Sequence, residues 1–126
     1  MALSDVLSNL NKMVEKTDKT VKKAIYEVSA DLLRESNIIC PKDKGNLRKS
    51  GQVRIEKSGG EYVGKVSYGD ARTIVDGEDY AIKVHEIRAK NYTEPGTGWK
   101  YLENPLKKKS AIYQKHIADA VGRAIK

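Results

Sequence analysis

Two histidines and one cysteine are the residues of this 126-residue chain best suited to metal, acid–base or nucleophilic chemistry. His85-Glu86 opens like a zinc-hydrolase helix, but that chemistry needs a second histidine one helical turn on, and position 89 is Ala89. His116 falls in a different element, so a metal site would have to be assembled from scattered carboxylates, and an ordinary surface or sheet histidine is the simpler reading. Cys40 beside His85 would make a nucleophile and its base, yet a lone cysteine next to Pro41 at a helix end reads as a small packing residue. Gly96-Thr97-Gly98 lacks the spacing and the following helix of a phosphate loop. The expectation is a chain with no catalytic residue, no metal site and no cofactor, and not an enzyme.

Composition points to a binding surface instead. Lys and Arg number 24 against 17 Asp and Glu, a formal charge of +7, which favours polyanionic neighbours. Residues 100–126 hold seven basic and two acidic residues, so the excess is regional. With one cysteine no intramolecular disulfide can form, and a reducing compartment is expected. The first ten residues lack the basic start and apolar run of a signal peptide. Nowhere do about 18 apolar residues follow one another, so a soluble chain with no membrane contact is expected.

The length suits one domain over 1–126. Apolar residues from Leu3 through Val6, Leu10, Val14, Val21, Ile25, Val28 and Leu32 recur at helical spacing, making residues 1–40 helical. Thr17-Asp18 can cap a second start, so a short helix followed by a long one is expected, ending before Pro41. Residues 41–51 read as a charged arm or loop. An antiparallel sheet follows over 52–86: Val53 and Ile55 alternate, Ser58-Gly59-Gly60 turns, Tyr62, Gly64, Val66 and Tyr68 return, and Tyr80, Ile82 and Val84 share one face of a third strand. Residues 87–103 form a long loop. Asn104 as cap and Pro105 in the first turn open a C-terminal helix over 104–126. The fold class is α+β, with N-terminal helices and a C-terminal helix packed on a small antiparallel sheet.

Three segments then stand out together: Cys40-Pro41-Lys42-Asp43-Lys44-Gly45-Asn46-Leu47-Arg48-Lys49-Ser50 after the long helix, Asp79-Tyr80-Ala81-Ile82-Lys83-Val84-His85-Glu86, and Lys100-Tyr101-Leu102-Glu103-Asn104-Pro105-Leu106. In this order they resemble the tail-completion, or head-to-tail joining, family of long-tailed bacteriophages, whose members are also called neck or minor capsid proteins. Ile87 replaces a common glycine, Lys44 a hydroxyl residue and Pro105 a small residue. The resemblance implies a structural subunit of a neck ring of six or twelve copies, meeting adaptor, tail-terminator or tail-tube proteins in the virion after assembly in the host cytoplasm. Genome DNA would pass through its lumen.

Candidate subunit or ring contacts are Pro41, Asp43, Gly45, Leu47 and Arg48 on the arm, and Tyr92 and Trp99 on the long loop. Leu47 is either an apolar anchor for a neighbour or a residue tucked onto its own sheet. Trp99 is either an interface anchor or its loop's own plug, whereas Tyr80 and Tyr101 read as core. The segment from Ile87 to Trp99 lacks apolar periodicity and is expected to order only on assembly. Lys107, Lys108 and Lys115 are candidates to face DNA or an acidic partner, although the run 107–109 spans nearly a turn and must turn one lysine toward the buried face. The alternative function is a basic nucleic-acid-binding domain acting off the virion.

Overall fold

The structure, a computed structural model, describes residues 3–41, 45–89, 92 and 97–125. Helix α1 runs unbroken over Leu3–Ile39, correcting the expected break at Thr17-Asp18. Asp18 does not cap: its carboxylate accepts the Tyr62 hydroxyl at 2.7 Å and faces Lys57 Nζ at 3.4 Å. The weak helix propensity of Thr and Asp costs a few tenths of a kcal/mol each, roughly, and a tertiary tie of this kind offsets it. Helix α1 stops where expected, with Cys40 N donating to Ser36 O at 2.8 Å just before Pro41.

Helix α2 (Gly45–Lys49) is a single turn, followed by the antiparallel hairpin β1 (Gln52–Ser58) and β2 (Glu61–Ser67). Its turn is the expected one, with Gly59 and Gly60 at φ +57° and +83°, backbone that glycine adopts without strain. Tyr62, Gly64 and Val66 alternate toward α1 while Glu61, Val63 and Lys65 are exposed. Gly64 sits where the pattern calls for a side chain because α1 crosses there: a Cβ would stand 2.1 Å from Ser29 Oγ and 2.9 Å from Ile25 Cγ2.

The expected third strand at Tyr80–Glu86 is a helix, α3. A short hairpin, β3 (Ile74–Val75) and β4 (Glu78–Asp79), precedes it after a 3-10 turn at Ala71–Thr73. Asp79 decides the outcome: its Oδ1 accepts from Ala81 N at 2.9 Å and from the buried Thr73 hydroxyl at 2.8 Å, capping α3 and fastening it to the turn. Tyr80 and Val84 then share one face and Ile82 points out, 69% exposed.

Helix α4 covers Glu103–Ala124, beginning one residue before the expected cap; Asn104 lies inside its first turn, with its N–H on Lys100 O. Pro105 is buried in that turn, where a missing amide proton costs nothing. The core lies at the C-terminal end of α1, where Cys40, Leu47, Ala81 and Tyr101 are buried together. The Tyr101 hydroxyl donates to Ala81 O at 2.9 Å, and its ring meets Tyr68 edge-on at 4.9 Å.

Candidate assembly surfaces

Leu47 of the arm is part of this core. Leu47 is 0% exposed, Pro41 is buried, and the Arg48 guanidinium donates to Cys40 O, with Nε at 2.8 Å. These three are engaged within the chain's own fold, which corrects the picture of Leu47 as an exposed apolar anchor, while Lys49 is exposed and Lys42 and Lys44 lie outside the described residues. A leucine flanked by polar residues carries no periodicity, so its direction was open in the sequence. Gly45 opens α2, and Asp43 lies outside the described residues.

The long loop is pinned at its far end, since Gly98 N donates to Ile39 O and Lys100 N to His85 O, both at 2.9 Å. Lys100 Nζ stands 5.6 Å from the centre of the half-buried Trp99 ring and also pairs with Glu86. Tyr92 is half-buried, and its hydroxyl accepts from Ala89 N at 3.1 Å. Of the segment expected to order on assembly, residues 90, 91 and 93–96 lie outside the described residues.

His85 and Cys40 serve structure. Cys40 is buried in the core, and His85 stacks its edge on Tyr101 at 5.0 Å while its Nε2 accepts from Glu103 N at 3.3 Å. Among the described residues no group of three or more His, Cys, Asp or Glu could hold a metal ion, and no helix is long and apolar enough to cross a membrane.

Of the lysine run, Lys109 is the one turned inward. Its Nζ reaches Asp31 at 2.6 Å and Glu35 at 3.4 Å, and the buried Tyr113 hydroxyl donates to the same Asp31 oxygen at 2.7 Å. Lys107 faces Glu103 at 3.4 Å and Lys115 faces Asp119 at 2.7 Å, exposed pairs that contribute little to stability. Lys108 is exposed, with no carboxylate at ion-pair distance among the described residues.

The Asp31 cluster clamps α4 to α1 and had no signal in the sequence, its partners lying 78 and 82 residues away. Lys109, then Tyr113 and Arg34, hold the Asp31 carboxyl well below the usual carboxylate range. Its stabilising effect is therefore complete above the unfolded value of about 3.9 and drains away as the pH falls below that toward the depressed folded value. Denaturant melts at pH 6 and pH 2.5 check this. Asp31→Asn, which keeps an acceptor for Tyr113, should lose less stability between the two than wild type does. Equal losses would contradict the assignment.

A surface absent from the sequence reading lies between the hairpin and α4. Both pack on α1, at different places around its circumference: Tyr62 and Gly64 over Asp18, Ile25 and Ser29, and α4 over Glu27, Asp31 and Glu35. Between them runs an open, largely apolar groove of about 670 Å³, floored by Val28 and Leu32 and walled by β2 on one side and Leu106, Tyr113 and Ile117 on the other. Val63 and Leu106 on its walls are 43% and 46% exposed. Elsewhere, Ile74 and Val75 of the short hairpin are 53% and 56% exposed.

A family model described as "Bacteriophage HK97-gp10, putative tail-component" matches residues 4–104, from the start of α1 to the second residue of α4. No curated protein and no solved structure matches the chain. The match spans most of the chain and takes in the arm segment and the Tyr80–Glu86 segment that carried the resemblance: this protein belongs to the HK97-gp10-like bacteriophage family.

Proposed function

We propose that the chain is a non-catalytic structural subunit of a phage neck or tail-completion ring that connects tail to head. Membership of a phage tail-component family carries the reading. Two uncovered apolar surfaces, the groove and the Ile74–Val75 tip, suit a subunit completed by its neighbours. Its partners would be further copies of itself, six or twelve to the ring, and neck or tail proteins such as adaptor, tail terminator or tail tube. It would reside at the neck of the virion after assembly in the host cytoplasm. Deleting the gene should leave filled heads and finished tails unjoined, and purified chain added to that lysate should join them. Normal joined particles from the deletion would overturn the proposal.

The basic face of α4 gives the ring a surface for lumen DNA or an acidic partner. Lys108 is the strongest candidate, because Lys107 and Lys115 already face carboxylates. In the same joining assay Lys108→Glu should keep a native circular dichroism spectrum and lower DNA retention, and adding Lys115→Glu should deepen the loss only slightly. Unchanged particles would make this a solvated face. The same pairing weakens the case for a nucleic-acid-binding domain acting off the virion, which requires steeply salt-dependent DNA binding by the isolated chain.

A further inference from the structure

The β2 strand has one partner. β1 pairs along one edge, and among the described residues no hydrogen bond reaches the other. Residues on both faces of β2, the inward Tyr62, Gly64 and Val66 and the outward Val63 and Lys65, line the groove, as they would if it ran along that open edge. An open strand edge beside an apolar trough is a template for an added strand, whose main chain would take up the free amide and carbonyl groups while its side chains filled the trough.

The same chain carries a segment of matching chemistry. Ile74 and Val75 are both more than half exposed, and because neighbouring strand residues point to opposite faces, each face of the short hairpin presents one exposed apolar side chain. Strands of two residues bury too little to be stable in water without a partner. The hairpin's turn carries Asp76, and among the described residues the one charged residue lining the groove is Lys65, whose exposed pair with Glu56 at 2.8 Å contributes little and can give way to a better-placed partner. None of residues 70–80 lines the groove, so the two surfaces are distinct on one subunit.

We propose that the groove between β2 and α4 receives the Ile74–Val75 hairpin of a second copy, with β3 lying along the free edge of β2 and Asp76 meeting Lys65. The assignment rests on the assembly reading only for its setting. The contact is heterologous: each subunit offers a hairpin to one neighbour and a groove to the other, the arrangement that generates a closed ring when the rotation closes.

Sedimentation velocity on the full-length chain tests it, independently of the joining assay that tests the neck reading. Wild type should self-associate with rising concentration. Ile74→Asp/Val75→Asp, which spoils the hairpin, and Leu106→Asp, which spoils the groove, alter exposed side chains and should each keep a native circular dichroism spectrum while weakening association about tenfold or more. Mixed one to one, the two variants should form a dimer and nothing larger, since the first retains a groove and the second a hairpin. The proposal is overturned by a wild type that stays monomeric at millimolar concentration, by a variant that associates as wild type does, or by a mixture that stays monomeric. A chain that fails this test yet restores head-to-tail joining leaves the neck reading standing.

Discussion

Leu47→Asp should unfold the chain, not merely disarm a contact. The side chain is 0% exposed and packed with Cys40, Ala81 and Tyr101, so its removal alone costs about 2 to 5 kcal/mol, and a buried carboxylate adds several more. That sum is comparable with the whole stability of a small domain, roughly 5 to 15 kcal/mol. The measurement is a thermal melt by circular dichroism together with the soluble yield. Leu47→Ala should still fold, with its midpoint lowered by an amount corresponding to about 3 kcal/mol. A Leu47→Asp chain that melts like wild type would show that the residue is not core.

Gly64→Val is expected to be the next most damaging exchange. Any Cβ there meets Ser29 Oγ at 2.1 Å and the stiff β-branched Ile25 at 2.9 Å, so α1 must lift from the hairpin or the strand must bow. Overpacking of this kind costs about 2 to 3 kcal/mol. Urea midpoints check it, with two controls. Ser29→Ala added to Gly64→Val should recover part of the loss by removing the nearer clash. Gly98→Ala, whose Cβ would meet nothing within 4 Å, should be close to neutral. If Gly64→Val matches that control, α1 does not cross the hairpin at this point.

These two positions also mark how far the sequence could be read. The β1–β2 hairpin was legible because an alternating pattern on both arms surrounds a turn that only small residues accept, whereas the crossing of α1 at Gly64 was not, since that glycine fitted the alternation as it stood. Pro41 marked the end of α1, and Tyr101 was readable as core. The segment Tyr80–Glu86 was not, because seven residues fit a period of two and a period of 3.6 about equally, and Asp79 as a cap had to break the tie. Thr17-Asp18 gave a true local signal overruled by Tyr62, 44 residues away from Asp18. The Asp31 clamp and the groove lay beyond reach for the same reason: both arise where distant segments meet on α1. Of the candidate contact residues, Leu47 went into the core, Pro41 is buried and Arg48 is tied to Cys40 O, because the sequence shows that Leu47 is apolar but not which way it points.

The hairpin and α4 are both fastened to α1, and among the described residues no hydrogen bond or ion pair runs directly from one to the other; the Tyr68–Tyr101 ring contact bridges them at the core end. They stand as two jaws mounted on one spindle, closed at the core end by that ring contact and open along the groove. The Asp31 clamp fastens α4 to α1 through Lys109 and Tyr113, and the Tyr113 side chain is at the same time part of the groove wall. A strand wedged into the gap would act as a cross-brace between the two jaws. Stiffness in the assembled object would then be a collective property that the single subunit lacks, with each copy made rigid by the neighbour it grips.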